Sequence, residues 1–557
     1  MNSPRTVLEA LDVAGSVDRG ITLLGGRGGP ESLTYAALGQ LASRGARALA
    51  RRGIKAGDRV GLVLPTGVDF LGSFFACLKA GAIACPASPL QGFPGRSAFR
   101  QHLSNVVSLV GPRALITDAD LTDELGGALA SGVTVLTANE LLAEEALSPS
   151  ISTDPQTIAL IQLTSGTTGL PRGVRISHAA LASNLRQIAA ATHIHRDSIM
   201  VSWLPLFHDM GLVGSLLTSV FMGCKLVLLR PTGFLRDPRS WLGAITEFRA
   251  THSPAPTFAY RYVLTRLQGQ DLSGIDLSSW QVAWIGAEPI PADLLAAFCS
   301  EFSRCGFRRE TFLPCYGMAE ASLAVTFSPV GEGYRLLALD QEKLLREGRA
   351  VSPSTGRAAT VLVSCGPPLD GTSVSILSEH QQPVAERTVG EVGVSGPSLF
   401  SGYHGESEDE AFLLAGRTFL TGDLGFMLDG ELYITGRKKE LIIVRGQNHH
   451  PMEIESVVSR LPGVREGKVA AFGVYQPEQS TQTIGMLVER DRTSTHDAEG
   501  LITALRRAVY EETGLSIHGV VLVPPGTIPH TTSGKIQRSR AREIFLRDET
   551  AGRDQAL

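Results

Sequence analysis

Short apolar segments alternate with helical patterns along the N-terminal part of the chain, and this alternation restricts the fold more than any other feature. The apolar segments have the length of buried strands and are bounded by Gly, Pro and Asp, whereas Ser32 to Ile54 carries apolar residues at helical spacing. Such alternation predicts α/β layers with mostly parallel sheets. The predicted strands in this part are DRVGLVLP, RALITDA, VTVLTAN, KLVLLRP and QVAWIGAE.

The pattern changes after about Val361, where short strand-like segments separated by Gly, Asp and Pro replace the alternation. These segments predict a small antiparallel sheet or barrel-like unit. Beyond Arg437 strands and helices mix again, over a length typical of a compact domain. We therefore predict a large N-terminal α/β lobe (1–436), built from two sheet subdomains and the small β unit, and a small mobile α+β C-terminal domain (437–557).

Composition excludes several classes of protein. The net charge of −4 over 557 residues argues against a surface built to neutralise nucleic-acid phosphates. The seven cysteines form no CxxC pair, which argues against a disulfide framework or a structural zinc site. The N-terminus lacks a signal-peptide pattern, and the most apolar window, Phe70–Pro86, is too short to span a bilayer. A cytoplasmic protein without an integral membrane segment is expected.

The strongest local signal is the segment Leu163–Val174, LTSGTTGLPRGV, which follows the apolar run TIALIQ. A strand that leads into a loop of glycines and hydroxyl residues offers backbone N–H groups and hydroxyls to phosphate oxygens. The segment is not a Walker A loop, because no Lys-Ser or Lys-Thr pair follows the glycines. Taken alone, it is also compatible with a hydroxyl-rich surface turn.

This segment resembles the phosphate loop of the adenylate-forming enzymes, which include acyl-CoA synthetases, amino-acid adenylation domains and fatty acyl-AMP ligases. Further segments resemble the family's motifs in the same order, over about Leu33 to Leu546. They are GAEP (286–289), YGMAE (316–320), TGD (421–423), GR (436–437) and SGKI (533–536). Motifs in a fixed order are more specific than any one of them, and the chain is identified as a member of the family.

The resemblance implies that the loop and turn residues bind ATP. Tyr316 would lie against the adenine, Asp423 would accept hydrogen bonds from both ribose hydroxyls, and Arg437 would contact the nucleotide. As isolated residues they are also explained as a core tyrosine, a turn aspartate and a solvated arginine. The implied nucleotide-binding residues are Thr164, Ser165, Gly166, Thr167, Thr168, Gly169, Gly286, Ala287, Glu288, Pro289, Tyr316, Gly317, Met318, Asp423 and Arg437.

Further residues have implied roles in the chemistry. Glu320 would ligate Mg²⁺ on the phosphates, and Lys535 would stabilise the charge that gathers when a carboxylate attacks the α-phosphorus. His208 would lie between the nucleotide and acyl sites, although a hydrogen-bonded histidine in a polar turn is as good an explanation. Lys439 would be the hinge of the C-terminal domain, and the sequence does not separate this role from one more charge in the run Arg437–Glu440.

Several segments resemble fatty acyl-AMP ligases more closely than acyl-CoA synthetases. They include WLPLFHDMG (203–211) and the piece Gly333–Ser364, which resembles the insertion that packs between the domains of those ligases. A long surface loop would also explain this piece. The resemblance implies activation of a fatty or related carboxylic acid to acyl-AMP, then transfer to the phosphopantetheine thiol of an acyl carrier protein. The alternative is an acyl-CoA synthetase that uses free CoA.

The expected carrier is a separate, acidic protein, since no carrier domain is recognisable in the sequence. A basic stretch near the C-terminus is a candidate docking face for it or one solvated side of a helix. A member that only binds ligand and a nucleic-acid-binding protein are competing classes, and only the basic stretch favours the latter. The stretch comprises Lys535, Arg538, Arg540, Arg542 and Arg547.

The chain departs from the family pattern at a few positions. Arg172 stands where the family usually has Lys, which keeps the charge but changes its shape. Ala319 stands where acyl-CoA synthetases usually have Thr, and the run Asn448–Pro451 differs from the usual NHYP. None of these changes removes a group that adenylation requires. The apolar stretches Met210–Leu217 and Phe258–Tyr262 are explained either as the lining of an acyl tunnel or as core.

Overall fold

The structure is a computed structural model that describes most of the chain. The described ranges are 4–25, 29–93, 95–126, 132–145, 153–164, 172–355, 359–406, 418–444, 447–476, 481–491, 497–531 and 535–554.

The strands are short and numerous, as the sequence predicts. In chain order they are β1 (Gly20–Leu24), β2 (Glu31–Thr34), β3 (Arg59–Val63), β4 (Ile83–Pro86), β5 (Ala114–Thr117), β6 (Thr134–Thr137), β7 (Ile158–Thr164), β8 (Arg172–Ser177), β9 (Ile199–Ser202), β10 (Lys225–Leu229), β11 (His252–Pro256), β12 (Val282–Gly286), β13 (Phe312–Gly317), β14 (Ala324–Phe327), β15 (Leu336–Asp340), β16 (Ala359–Val363), β17 (Ser373–Leu377), β18 (Gly390–Ser395), β19 (Phe419–Leu428), β20 (Glu431–Arg437), β21 (Ile442–Val444), β22 (Gln447–His449), β23 (Val464–Gln476), β24 (Thr481–Arg490) and β25 (Ile517–Val523).

Along the chain, most helices connect successive strands of the two large sheets. They are α1 (Val7–Ala14), α2 (Tyr35–Arg51), α3 (Val68–Lys79), α4 (Arg96–Val110), α5 (Ala119–Gly126), α6 (Ala138–Leu142), α7 (His178–Thr192), α8 (Thr218–Met222), α9 (Pro231–Arg236), α10 (Arg239–Phe248), α11 (Thr257–Leu267), α12 (Ala292–Phe302), α13 (Gln341–Glu347), α14 (Pro451–Ser459), α15 (Ala498–Thr513) and α16 (Arg538–Asp554). A π-helix spans Met210–Leu217, and 3₁₀ turns include Ala319–Ala321 and Lys438–Glu440.

Two mostly parallel sheets form the centre of the N-terminal lobe. One has the order β6-β5-β3-β4-β7-β8, the other β14-β13-β12-β11-β9-β10-β1-β2. Antiparallel strands (β8 in the first, β2 and β14 in the second) occupy edges of these sheets. The parallel strands are almost completely buried because helices cover both faces. The predicted α/β class and the two sheet subdomains are confirmed.

The helix predicted from the spacing between Ser32 and Ile54 is α2. Thr34 caps its first turn, with the hydroxyl oxygen accepting the N–H of Ala37 at 3.1 Å. The apolar face contributes Tyr35, Leu38 and Leu49 to the core, each fully buried. The phenolic hydroxyl of Tyr35 donates to the carbonyl of Cys224 at 2.6 Å, so this helix also holds the segment before β10.

The segment after Val361 forms the antiparallel sheet β17-β18-β19-β20, as its short strand-like runs predict. The piece Gly333–Ser364 has secondary structure of its own, the hairpin pair β15–β16 with α13 between them. Its inward residues Leu339 and Leu344 pack with Phe426, Leu428 and Tyr433 of the β17–β20 sheet. It is therefore a folded insertion and not a plain surface loop.

The last part of the chain has a sheet and cores of its own. Strands β23 and β24 are antiparallel, and β25 is parallel to β24. Helices α14 and α15 pack on one face of this sheet through Ile454 and Leu505, and α16 packs on the other through Phe545. Among the described residues, no helix has both the length and the apolar character that crossing a bilayer would require.

Candidate active site

The hydroxyl-rich segment of the sequence separates β7 from β8, and β8 is an edge strand of the six-stranded sheet. Thr164 and Arg172, the two ends of the loop, are opposite each other in the antiparallel register, and the Thr164 hydroxyl lies 3.4 Å from the Arg172 carbonyl oxygen. The predicted nucleotide-binding residues Ser165, Gly166, Thr167, Thr168 and Gly169 lie outside the described residues. Of the residues expected to bind phosphate in this segment, the structure therefore places only Thr164.

Gly286 to Pro289 form the turn at the carboxyl end of β12. A side chain at Gly286 would approach the Cys315 carbonyl oxygen at 2.6 Å, which explains the glycine. Ala287 has a positive φ of 65°, so this turn is sharp. The turn directs the Glu288 carboxylate back to the N–H of Phe258, at 3.1 Å. Burial raises the pKa of Glu288, and the positive charge of Lys535 opposes that shift.

Tyr316 lies near the end of the neighbouring strand, β13, followed by Gly317 and Met318. Its hydroxyl donates to Oδ2 of Asp423 at 2.6 Å. Burial, followed by the nearby Asp423 charge, raises the pKa of Tyr316 well above its usual value, so the phenol remains a donor. The sequence predicted roles for Tyr316 and Asp423 separately, and the structure brings them into direct contact.

Asp423 and Arg437 are cross-strand partners in the β19–β20 hairpin. The guanidinium Nε donates to Oδ1 of Asp423 at 2.7 Å, and the Asp423 side chain is 9% exposed. Its backbone N–H is held by the Thr421 hydroxyl at 3.0 Å. Since a carboxylate oxygen accepts more than one hydrogen bond, both oxygens retain acceptor capacity. The site thus presents a fixed carboxylate between a phenol and a guanidinium.

Glu320 lies in the 3₁₀ turn that follows β13. Its carboxylate accepts a hydrogen bond from the hydroxyl of Tyr403 at 2.7 Å, and its backbone carbonyl accepts the N–H of Phe400 at 2.8 Å. Burial raises the pKa of Glu320, and the bond from Tyr403 opposes that rise. A hard cation prefers carboxylate oxygens, so this residue fits the magnesium-binding role that the family implies.

Tyr403 is a part of the site that the sequence reasoning missed. It pairs in an isolated bridge with Val174 of β8, and the Arg172 guanidinium lies 3.3 Å from its ring centroid. Arg172 also forms an ion pair with Glu406 at 2.6 Å. Arg172 stands where the family usually has Lys, and its planar guanidinium stacks on the Tyr403 ring better than an ammonium group would. In the sequence, the one signal that could have drawn attention to Tyr403 is that it directly follows Gly402.

His208 lies in the loop between β9 and the π-helix. Its ring is 4.7 Å from that of Phe207, and its carbonyl accepts the N–H of Leu212 at 2.8 Å. The neighbouring Asp209 lies close enough to Glu320 for its charge to contribute to the raised pKa of Glu320. His208 is thus adjacent to the predicted site. A π-helix is rare and is frequently found at functional sites.

The apolar stretches proposed for an acyl tunnel are largely core. All residues of the π-helix are buried. Tyr260 is fully buried, donates to the Trp284 carbonyl at 3.2 Å and packs among Trp241 and Phe298. Phe258 and Tyr262 are only partly buried at the edge of this cluster. Of the Phe258–Tyr262 stretch, these two aromatic rings are the better candidates for contact with an acyl group.

Lys535 is the exposed residue of a hairpin from the C-terminal part of the chain. Its N–H donates to the Thr531 hydroxyl at 3.0 Å, and its carbonyl accepts the Thr531 N–H at 2.7 Å. Burial raises the pKa of Glu288 and the Lys535 charge opposes that shift, so the lysine lies within electrostatic range of the Gly286–Pro289 turn. Two other residues of the family motif SGKI (533–536), Ser533 and Gly534, lie outside the described residues.

The predicted hinge, Lys439, is exposed in the 3₁₀ turn that follows β20. Its neighbours are held from both sides, Lys438 by Glu391 at 2.8 Å and Glu440 by Arg538 at 2.6 Å. Gly436, just before this turn, leaves space that the His450 ring occupies, since any side chain there would clash with Nδ1 of that ring. The altered run Asn448–Pro451 thus contacts the last strand of the N-terminal lobe.

The structure corrects the predicted basic docking face at Arg538. Its guanidinium binds Glu455 through Nε and Nη2 at 2.8 and 2.7 Å and Glu440 at 2.6 Å, with its side chain 16% exposed. Although burial disfavours its charge, these carboxylates raise the pKa of Arg538. A guanidinium held by two carboxylates is not available to a partner. Arg540 and Arg542 are exposed, as the prediction requires.

The insertion lies between the two parts of the chain. Its helix α13 approaches β22, where burial, followed by the charge of Arg346 in α13, lowers the pKa of His449. On its other side the insertion packs against Phe426 and Tyr433. The packing implied by the resemblance, between the N-terminal lobe and the C-terminal part, is the packing observed.

Comparison with known proteins identifies relatives of this chain. The family model described as AMP-binding enzyme matches residues 14–404. A Caulobacter vibrioides protein that carries the provisional name acyl-CoA synthetase is 35% identical over 97% of this chain and 95% of its own length. The medium-chain-fatty-acid acyl-carrier-protein ligase JamA of Moorena producens is 34% identical over 92% of this chain and 90% of its own.

A solved structure from work on the fatty acyl-adenylate ligases of E. coli and L. pneumophila is also similar. It superposes with a TM-score of 0.92 and 37% identity, covering 98% of this chain and 99% of its own. The insertion and the C-terminal sheet are therefore included in the likeness, since the match extends over nearly the whole of both chains.

Proposed function

The chain belongs to the AMP-binding family of adenylate-forming enzymes, and from that premise we propose that it is a fatty acyl-AMP ligase that loads a carrier protein. Activation of an acid by adenylation follows from the family. The acid, the acceptor thiol and the role of each residue are the proposal. The observation that supports it best is the Asp423 carboxylate held between Tyr316 and Arg437.

In the first step, a carboxylate oxygen of the fatty acid attacks the α-phosphorus of ATP. The new bond joins that oxygen to phosphorus, and the bond to the bridging oxygen breaks, so that pyrophosphate leaves with the electron pair. Negative charge gathers on the phosphoryl oxygens, where the Lys535 ammonium would stabilise it. A magnesium ion bound by Glu320 would supply further charge neutralisation on the phosphates.

The remaining residues position the nucleotide. Tyr316 would lie against the adenine, Asp423 would accept the ribose hydroxyls, and the turn Gly286–Pro289 would contact the base edge. Thr164 and the residues 165–169 would hold the phosphates, and His208 would lie between the nucleotide and the acyl group. Fixing the reactants in this way lowers the entropic part of the barrier.

In the second step, the phosphopantetheine thiolate of an acyl carrier protein attacks the carbonyl carbon of acyl-AMP. The carbon–sulfur bond forms, and AMP leaves with the electrons of the former anhydride bond. The folded insertion Gly333–Ser364 and the likeness to a carrier-protein ligase support this acceptor. The alternative acceptor is free CoA, which the similarity to the C. vibrioides protein favours.

We also propose that the chain divides at 436/437 and that residues 437–557 move about Lys439 between the two steps. The separate cores on the two faces of the β23–β25 sheet and the exposed position of Lys439 support this division. Residues that must approach in one step and withdraw in the next are best placed on a unit with a core of its own.

One experiment tests acceptor and reaction together. The protein is incubated with ATP, Mg²⁺ and a series of free fatty acids, with free CoA, a phosphopantetheinylated carrier protein, or neither. We expect acyl-AMP and pyrophosphate in every case with a suitable acid, and a thioester with the carrier alone. Efficient formation of acyl-CoA would identify the acceptor as CoA. Absence of pyrophosphate exchange with every acid tested would contradict the proposed substrate class.

A further inference from the structure

Lys468 belongs to none of the motifs that identify the reaction, yet it lies beside the hairpin that carries Lys535. It is half-buried on β23, with its ammonium Nζ 2.9 Å from Nε2 of His530. The other ring nitrogen, Nδ1, is 2.7 Å from the Ile528 carbonyl oxygen. Because a carbonyl only accepts, Nδ1 carries the hydrogen, and the lone pair of Nε2 accepts from Lys468.

His530 pairs within the hairpin. It forms a bridge with Ile536, and the Gln537 N–H donates to the Pro529 carbonyl at 2.8 Å. The two contacts between Thr531 and Lys535 complete the hairpin. His530 therefore joins the ring that Lys468 contacts to the backbone pairing that leads to Lys535.

The root of the hairpin is fixed by a second charged group. Glu489, 1% exposed, accepts the Ile528 N–H at 3.0 Å and forms an ion pair with Arg465 at 2.9 Å. Ile528 is thus held at its N–H by Glu489 and at its carbonyl by His530. Lys468 completes this arrangement, since it fixes the ring that binds the carbonyl.

Lys468 also lies within electrostatic range of Glu288 in the Gly286–Pro289 turn. Burial raises the pKa of Glu288, and both Lys535 and Lys468 oppose that shift. The two ammonium groups therefore act on the same carboxyl group of the Gly286–Pro289 turn. One of them projects from the hairpin, and the other supports the hairpin from β23.

We propose that Lys468 is a positioning residue for adenylation: its hydrogen bond to neutral His530 fixes the hairpin that presents Lys535 to the Gly286–Pro289 turn. This inference rests on the proposed adenylation reaction. It predicts that Lys468 acts through the placement of Lys535 and therefore on kcat, because a small misplacement of a catalytic group slows the reaction without weakening substrate binding.

The test compares Lys468→Met and Lys468→Arg with the wild type and with Lys225→Met, a lysine on β10 that lies over the Phe248 ring. We expect Lys468→Met to lower kcat of ATP–pyrophosphate exchange by roughly tenfold or more, with KM for ATP changed by less than about threefold. Lys468→Arg should recover most of the loss, since it also donates to His530. Lys225→Met should match the wild type.

A pH profile separates positioning from a general loss of structure. Burial and then the Lys468 charge lower the pKa of His530 below its usual 6.5. Protonated His530 cannot accept from Lys468, so kcat of the wild type should fall at acid pH as His530 titrates. Lys468→Met should lack this fall, because the bond is already absent. A profile of the same shape in both proteins would overturn the proposal.

Amide hydrogen exchange measures the hairpin without any reaction. In Lys468→Met the amides of Thr531 and Gln537 should exchange at least about tenfold faster, whereas that of Val488 in β24 should not change. His530→Leu supplies a second variant, in which adding Lys468→Met should cost nothing more. If amide hydrogen exchange and kcat were both unchanged in Lys468→Met, the proposed role of Lys468 would be overturned and the proposed function would stand. If the wild type were inactive with every acid, the proposed function would be contradicted. In that case amide hydrogen exchange would still show whether the Lys468–His530 contact holds the hairpin.

Discussion

The phenolic hydroxyl of Tyr403 donates to Oε1 of Glu320 at 2.7 Å, and this bond joins two segments that are 83 residues apart in the sequence. The ring of Tyr403 simultaneously lies under the Arg172 guanidinium. One tyrosine therefore connects the proposed magnesium ligand to the residue that follows the phosphate loop.

Removing this hydroxyl should weaken magnesium binding. In Tyr403→Phe the pKa of Glu320 rises further, because the bond that opposes the effect of burial is lost. We expect the Mg²⁺ concentration for half-maximal pyrophosphate exchange to rise by roughly tenfold, since a hydrogen bond to a charged group contributes about 1.5–3 kcal/mol. Tyr510→Phe, at a side chain that is 61% exposed, is the matched control. An unchanged Mg²⁺ dependence would contradict this role.

Neutralising Asp423 should weaken ATP binding. The Asp423→Asn variant leaves Arg437 without its carboxylate partner and gives Tyr316 a weaker acceptor. We expect KM for ATP to rise by roughly ten- to hundredfold, the range for lost hydrogen bonds to charged groups. The control is Asp429→Asn in the turn of the same hairpin, where an asparagine tolerates the positive φ of 51°. Equal effects of the two substitutions would show that Asp423 acts only through folding of the hairpin.

Removing the Lys535 ammonium should affect the chemical step. We expect Lys535→Ala to lower kcat of pyrophosphate exchange by about 100-fold or more, the size observed when a group that stabilises developing charge is lost. Transfer from acyl-AMP supplied ready-made should persist, because the α-phosphorus is not attacked in that step and the proposed movement of residues 437–557 withdraws Lys535 before it. Single-turnover assays of both steps, with Lys343→Ala as the control, measure the difference. Equal losses in both steps would refute the assignment.

The partly buried cation Arg538 should stabilise the C-terminal part of the chain. In Arg538→Met the carboxylates of Glu455 and Glu440 lose their partner. Breaking a buried ion pair on one side costs about 3–5 kcal/mol, so we expect a loss of about 3 kcal/mol in the free energy of unfolding. Urea unfolding followed by hydrogen exchange in α14 and α16 measures it. Arg540→Met, at an exposed site in α16, should have little effect.

Glu453 should make stability depend on pH. Burial raises the pKa of Glu453 from 4.5 to about 8 in the folded protein. The folded state therefore binds the proton more tightly, and the stability that this proton contributes is present below pH 4.5 and is lost as pH rises through about 8. Glu453→Gln should be the more stable protein at pH 8.5, by on the order of 1 kcal/mol after allowance for partial exposure.

Unfolding at pH 6 and at pH 8.5 tests this expectation. The wild type should lose more stability between the two values than Glu453→Gln does, whereas Glu499→Gln, an exposed first-turn residue of α15, should follow the wild type. Parallel curves for the wild type and Glu453→Gln would show that the carboxyl is ionised in the folded state.

The order of the strands and helices could be predicted from local patterns. The run KLVLLRP is β10, QVAWIGAE is β12, and the spacing between Ser32 and Ile54 is α2. Apolar periodicity fixes which face of each element is buried, and a single segment carries that information. The motif order likewise identified the family, which the comparisons confirm.

The contacts between distant segments required the tertiary structure. The predictions named Glu320, Asp423 and Lys535, but nothing in the sequence connects Tyr403 with Glu320, Tyr316 with Asp423, or Lys468 with His530. Arg538 could not be told from its exposed neighbours, because burial and ion pairing depend on which carboxylates the fold brings near.

The sequence by itself thus determined the elements, the family and the residue types that the chemistry needs. The tertiary structure alone decided which of those side chains meet, which are neutral or charged, and which charges are available to a partner. The physical reason is that periodicity and turn chemistry act over a few residues. Burial and electrostatic shifts, in contrast, arise from groups that only the packed sheets and the insertion bring together.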